Sequence, residues 1–515
     1  MLNKKLYGLL FLQLFFLIQC KSSNGNQNIS EVKSEDNLEC DIAIVGGGPA
    51  GLHTAMRLGP KYGSKICLFE KENRLGGRIY DVNKNLGTDK GPYIAVGARR
   101  VDSTQTLMIA LAKELNIELQ LPEKDTELIF AKGLYSLNKD DYVQFYPNLP
   151  ANFTAGDVET QLIMKLFNSP ERENIDAYPD FRSYVEKVLG IESLNYLRDM
   201  FRFRADYEYS LSAKGYLEFL EEEFDVCCEA LYPVGGMSAF IRGMEKKVRD
   251  SGVRLFINEP VNTIDKSESG YQLVTEKRLV ATKQLIIAVP PYGLEKIEGD
   301  IVKAIITQPQ FKAMIGVKVT TIAQWFDKPW WKKIKTADGT EVWRAWTTGH
   351  CINSIEIPQE DYAASQNVIR TVYNDQKECA EMWEGLADDP AEMDKKLHEG
   401  LTHLFAKNGI TTPVTVDQAI KTHYWEWPDA WYWIRAGNTF SNKDISQWAL
   451  EPLQGEDIGL VSDGYNPQRA AWTDAAIKSS INYLDKRFKL KLGQEKGFNL
   501  NTSKKTKKDR TSSGR

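Results

Sequence analysis

The 515-residue chain is 42% hydrophobic and 26% charged, with 37 Gly and 20 Pro. That composition excludes collagen-like, coiled-coil and wholly disordered chains, and the length allows roughly two to four packed units. The net charge is −5, but Ser503 to Arg515 carries +5 and so leaves −10 on the remainder, which argues against nucleic acid as the main partner.

In chain order, Lys4 and Lys5 precede an apolar run from Leu6 to Ile18 broken only by Gly8 and Gln13. The run is too short to span a bilayer as a helix and suits the core of an export signal. Residues 1–20 therefore read as a leader and 21–38 as a linker. Leu17-Ile18-Gln19-Cys20 resembles the bacterial lipobox, although Gln19 replaces its usual small residue. A lipid anchor on Cys20 and ordinary cleavage both stay open, and the expected location is secreted or extracytoplasmic. Asn152 and Asn501 stand in glycosylation-acceptor triplets. The other six cysteines fit neither a zinc site nor a dense disulfide framework, leaving room for one or two structural bridges. Five scattered histidines show no pair at ligand spacing, so no metal site is expected.

Asp41 to Val45 is a short β-branched run that reads as a buried parallel strand. Gly46-Gly47-Gly48-Pro49-Ala50-Gly51 follows, then an apolar helical face carried by Leu52, Ala55, Met56 and Leu58 that is expected to end near Gly59-Pro60. A second strand, Lys65 to Phe69, stops at Glu70, with Lys71 beside it. Gly46 suits a tight turn, Gly48 lets amides approach a pyrophosphate, and Gly51 lets helix and strand pack closely. The helix N-terminus, opened by Pro49 and Ala50, favours the anion. Glu70 stands where a carboxylate takes ribose hydroxyls. Strand, turn, helix, strand and acid together point to a dinucleotide site.

Arg74-Leu75-Gly76-Gly77-Arg78 comes directly afterwards. This block resembles the FAD signature of the flavin-containing amine oxidase superfamily, in which Gly77 and Arg78 would approach the phosphates. No second glycine fingerprint offers a nicotinamide site, so electrons are expected to enter from substrate and leave to oxygen. Gly97-Ala98-Arg99-Arg100 resembles the loop beneath the flavin in the L-amino-acid-oxidase branch, whose members include secreted mollusc antibacterial oxidases and bacterial relatives. On that match Arg100 clamps the substrate carboxylate. Tyr232 to Met237 resembles the re-entry into the FAD domain, and Val261 the residue whose backbone meets adenine. Gly316-Val317-Lys318-Val319 resembles the place where a lysine works near the flavin through a water. Near the C-terminus, Asp463-Gly464 and Ala470 to Ser479 resemble the closing strand, turn and helix. Trp472 would form one wall of an aromatic cage and, with Thr473, lie against the flavin. Two positions depart from the pattern: Gly464 stands where a ribose-binding Glu is usual, with Asp463 its neighbour, and Ala471 replaces a glycine. Trp433 is the candidate for the second wall. No cysteine of the kind that binds flavin covalently stands between Trp425 and Trp433, so the FAD is expected to be non-covalent.

The resemblance implies an α/β fold: a discontinuous, Rossmann-like FAD domain of glutathione-reductase type with an inserted substrate domain. The expected parts are 39–111, 228–319 and 456–490 for FAD, 112–227 and 320–455 for substrate, and a basic tail over 491–515. Helical patterning marks Ser183 to Phe203, Ser212 to Phe224 and Asp389 to Lys407. The activity implied is oxidative deamination of an L-amino acid, with molecular oxygen as acceptor. A polyamine or monoamine oxidase and a catalytically impaired flavin-binding protein are the alternatives. Side-chain preference is open, with only a weak pointer, by analogy with mollusc relatives, to a cationic amino acid. The oligomeric state is open too, a homodimer included.

Overall fold

The computed structural model describes residues 37–494 apart from 86–93, 122–125, 139–140, 150–157, 201–202, 225–229 and 358–366. The expectations for the leader, Cys20, the acceptors at Asn152 and Asn501, and most of the basic tail lie outside those residues.

Two sheets organise the chain. In the first, Arg254–Ile257, Ile66–Glu70, Asn37–Val45, Leu279–Ile287 and Ile458–Leu460 run parallel in that spatial order. The strand Leu279–Ile287 also continues into an antiparallel meander with Gly270–Thr275 and Val261–Ser267. Alternation along the first strand explains the layering. Ile42 and Ile44 face a core shared with the helices Pro49–Tyr62, Ser238–Asp250 and Thr473–Phe488. Ala43 and Val45 face the opposite core, which includes Val261, Leu273 and Val280 of the meander. A strand buried on both faces needs the continuous apolar run read in the sequence. Cys40 and Cys67, on neighbouring strands, form a disulfide.

The helix after the glycine turn does not stop at Gly59-Pro60 but reaches Tyr62. Pro60 lies in its last turn, where one lost amide is tolerated, and the Gly63 N–H closes the end on the Gly59 carbonyl.

The second sheet has the order Lys421–Ile434, Met314–Trp325, Val368–Asn374, Asn353–Glu356, Arg344–Thr347, Glu127–Ala131 and Leu134–Ser136. Residues of both inserted regions thus share one sheet. Its strand Met314–Trp325 is continuous, so the boundary expected at 319/320 falls inside an element. One face packs on helices that include Val158–Phe167, Phe181–Leu189, Ile191–Met200 and Ala213–Phe224. The expected Ser183–Phe203 helix is two, broken at Gly190, whose φ of +81° suits glycine. Elsewhere the sheet packs on Pro390–Ala406, and Cys351 pairs with Cys379.

The glycine-turn helix and the C-terminal helix are joined by a buried polar relay. Arg57 Nε donates to His53 Nε2 at 3.1 Å, which assigns the ring proton to Nδ1, 2.9 Å from Ser480 Oγ. Burial first, and then the Arg57 charge, hold His53 well below its usual 6.5. The unfolded chain takes up this proton below pH 6.5 while the folded chain resists it. The site's contribution is therefore present above 6.5 and lost as pH falls, by up to about 1.4 kcal/mol per pH unit. Melting temperatures from pH 7.5 to 5.0 are expected to fall less steeply in His53→Gln than in the parent; equal slopes would exclude the relay as a source of acid sensitivity.

Candidate active site

The glycines of the turn do different jobs. Gly46 has φ +110°, and a Cβ there would stand 2.6 Å from the Ala288 carbonyl oxygen. A Cβ on Gly51 would stand 2.0 Å from the Gly46 carbonyl oxygen. Both therefore serve the fold itself. At Gly48 an added Cβ would meet only the Gly77 Cα, at 3.9 Å. Gly48 and Gly77 thus face each other as bare backbone at the start of the Pro49–Tyr62 helix, which has no side-chain cap. Uncapped first-turn amides beside a groove without side chains suit an anion.

Glu70 closes the neighbouring strand. Its Oε2 accepts from the Gly47 N–H at 2.7 Å and its Oε1 from the Glu72 N–H at 2.9 Å. Burial pushes the carboxyl up, against the pull of these two amides. Two acceptor lone pairs beyond the amide bonds leave capacity for hydroxyl donors. The Glu259 N–H donates to the Glu70 carbonyl at 2.9 Å, which brings Val261, two residues on, to the same corner. Lys71 is exposed and pairs with Glu72 at 3.1 Å.

Arg78 and Asp463, 385 residues apart, form an ion pair. Arg78 Nη1 also donates to the Ala430 carbonyl at 2.7 Å, tying the turn to the Lys421–Ile434 strand. A Cβ on Gly97 would lie 2.0 Å from the Arg78 carbonyl oxygen, and the Ala98 N–H donates to that oxygen at 3.0 Å. The departure at Gly464 has a steric reason: a Cβ there would stand 2.7 Å from Pro291 Cδ and 2.9 Å from Tyr432 Cδ2, so no Glu fits. Ala471 sits at φ +67°, a conformation that disfavours an L side chain by about 1–2 kcal/mol and that the glycine usual in the resembled pattern would hold freely.

Arg100 and Trp472, 372 positions apart in sequence, meet with the guanidinium carbon 5.9 Å from the indole centroid. Trp472 is the N-cap of Thr473–Phe488, again without a side-chain cap. Arg99 lies over the Tyr232 ring, at 5.0 Å, and pairs with Glu356 at 2.5 Å. Besides Glu356, two further residues absent from the sequence reading, Arg370 and Tyr373, join this cluster. Buried Arg370 also pairs with Glu356, and its guanidinium lies 4.8 Å from the ring of Tyr373. Both come from an ordinary β-run in the inserted region, and only their partners mark them out.

Lys318 and Trp433 have other partners. Lys318 Nζ is 2.7 Å from Glu384 Oε2 and 3.3 Å from Glu426 Oε1, and Glu384 is 52% exposed. These carboxylates hold its pKa above the usual value although burial opposes them. The partner that an ammonium in an apolar run requires is thus a pair of carboxylates at a partly open edge. Trp433 is 4% exposed, with ring centroids 5.1 Å from Tyr216 and 4.5 Å from Phe219. It packs in the core beneath the helices. Among the described residues no group of three or more His, Cys, Asp or Glu is arranged to hold a metal ion, and no helix is long and apolar enough to cross a membrane.

A family model described as flavin containing amine oxidoreductase matches residues 49–457. Aplysianin-A of Aplysia kurodai is 21% identical over 552 aligned residues, covering 93% of this chain and 96% of that protein. Achacin of Lissachatina fulica is 22% identical over 337, covering 56% of this chain and 61% of its own length. Among solved structures, cyclohexylamine oxidase from Brevibacterium oxydans superposes with a TM-score of 0.64 at 16% identity, covering 87% of this chain and 99% of that one.

Proposed function

This chain belongs to the flavin-containing amine oxidoreductase family, and from that premise we propose that it is an exported oxidase that deaminates a free L-amino acid. The cofactor is FAD. The bare Gly48–Gly77 groove, the uncapped helix start and buried Glu70 fit a dinucleotide. In this reading Gly46 to Gly51, Glu70, Gly77 and Val261 belong to that site. Arg78 and Asp463 brace it from the far end of the chain, and Gly97 to Arg100 with Trp472 and Thr473 line its flavin end. The link is non-covalent.

The observation that carries the amino-acid reading is the approach of Arg100 to Trp472. A planar guanidinium grips a carboxylate bidentately, and the indole beside it offers a flat wall to the amine. When bound, FAD supplies the two-electron acceptor that oxygen regenerates. Arg100 fixes the carboxylate, so the α-carbon is presented in one orientation. The amino acid loses two electrons and two protons and becomes an imino acid, which water converts to a 2-oxo acid and ammonia. Oxygen takes up the two electrons and two protons and leaves as hydrogen peroxide. Lys318, ion-paired with Glu384 and Glu426, acts at most through water. Export rests on the leader read in residues 1–20, with lipidation of Cys20 or simple cleavage to follow.

Anaerobic titration of the yellow protein with the twenty L-amino acids, putrescine and cyclohexylamine tests the reading. Bleaching by at least one amino acid, with equimolar peroxide on admitting air, is the expected result. Bleaching by the amines alone would move the assignment to a simple amine oxidase, the substrate type named for the structural neighbour.

A further inference from the structure

Resting on the amino-acid reading, we propose that Arg370 is a specificity-determining residue that receives the side-chain carboxylate of an acidic L-amino acid whose α-carboxylate is held by Arg100.

A fault in strand pairing puts Arg370 in position. Opposite Met314–Trp325, Val372 pairs with Ile322 and Arg370 with Ala323, which leaves Thr371 as an extra residue. Such a bulge shifts the alternation of side chains by one. Ile369 and Val372 consequently share the core around the Pro390–Ala406 helix, while Arg370 and Tyr373 meet, guanidinium over ring. Without the extra residue, Arg370 and Tyr373 would point to opposite faces of the sheet.

Arg370 is 6% exposed. Its Nη2 donates to Glu356, but its buried Nε has no hydrogen-bond partner. Glu356 is not its alone, since Arg99 Nη1 takes the same Oε2 at 2.5 Å. Burial chiefly, and then the charges of Arg99 and Arg100, push the Arg370 pKa down to about 9. A guanidinium this deep, sharing its carboxylate and crowded by like charges, is stabilised by an incoming anion, and its planar fork matches a carboxylate. Arg370 meets Arg99, the sequence neighbour of Arg100, on the shared Glu356 carboxylate, and Tyr373 feels the charges of both Arg370 and Arg100. The buried acids beyond Tyr373 each accept at least one hydrogen bond. Asp375 accepts from the backbone N–H groups of Arg204 and Ala205, and Asp206 accepts from the Tyr216 hydroxyl. A dicarboxylic amino acid can span Arg100 and Arg370, whereas a cationic one would place its charge against Arg370. The weak pointer to a cationic substrate taken from mollusc relatives is thereby reversed.

The test compares anaerobic flavin reduction and kcat/KM for L-glutamate, L-aspartate, L-leucine and L-lysine in the holoenzyme, in Arg370→Gln and in Arg370→Lys. Glutamate or aspartate is expected to exceed leucine by roughly ten- to a hundredfold in the parent. Arg370→Gln should lower kcat/KM for the two acids far more than for leucine, and Arg370→Lys should restore part. If the variants lose FAD, the parent alone decides: glutarate should perturb the flavin spectrum at lower concentration than pentanoate, which has the same carbon count and one carboxylate. Reduction by leucine or lysine but by neither acid, or equal binding of glutarate and pentanoate, overturns the inference and leaves the amino-acid reading standing. Silence with all four amino acids overturns the inference, and silence with all twenty overturns both.

Discussion

Gly48→Val is expected to give a protein that folds, purifies colourless and has no oxidase activity. The mutation separates cofactor binding from folding because of where the space lies. Gly48 has φ −72°, which any L residue adopts, and an added Cβ meets nothing nearer than the Gly77 Cα at 3.9 Å. The apoprotein therefore accommodates the side chain. The branched methyls fill the bare groove between the two glycines, where an anion must approach the uncapped amides. Loss of FAD should also lower the melting temperature, since a ligand present at a hundred times its dissociation constant contributes about 2.7 kcal/mol. Gly51→Val is the control for misfolding, because its Cβ would collide with the Gly46 carbonyl oxygen at 2.0 Å. A Gly48→Val protein with a full flavin spectrum would remove the turn from the cofactor site.

Arg100→Ala is expected to lower kcat/KM for L-amino acids by roughly a hundredfold to several thousandfold while FAD stays bound. An orphaned buried carboxylate costs about 3–5 kcal/mol, and each 1.36 kcal/mol is tenfold in rate. The amine that lacks the α-carboxylate has no charge to orphan and should lose far less. Glutamate against 4-aminobutyrate, or lysine against cadaverine, makes the comparison. Arg100→Lys should recover part, because an ammonium keeps the charge without the fork. Equal losses on both members of a pair would assign Arg100 to the flavin or the fold.

Much of the nucleotide-binding half was legible in the sequence because its residues act through neighbours close in the chain. Gly51 and Glu70 meet backbone supplied by their own strand-turn-helix-strand unit, as the Gly46 carbonyl at Gly51 and the Gly47 and Glu72 amides on Glu70 illustrate, whereas the close approach at Gly46 is to distant Ala288. The helix runs two residues past Pro60, to Tyr62, since a proline so near the end removes only a single bond. The closing Asp463-Gly464 segment could be placed, but not its chemistry. Arg78 claims Asp463, and Tyr432 and Pro291 exclude a side chain at Gly464.

The substrate half was legible only in outline. Five aromatics stand from Trp425 to Trp433, the last three consecutive, and their spacing does not say which of them face the core. Helix packing decided that Trp433 is buried against Tyr216 and Phe219. Lys318 called for a partner, but carboxylates 66 and 108 residues away supply it. Arg370 gave no signal at all. By itself the sequence determined the family, the parallel strand with its glycine turn, and the presence of Arg100. Only the tertiary structure decided which side chains stand with Arg100. That choice depends on the register of strands distant in the chain, and one bulged residue between Arg370 and Val372 changes the face that each presents.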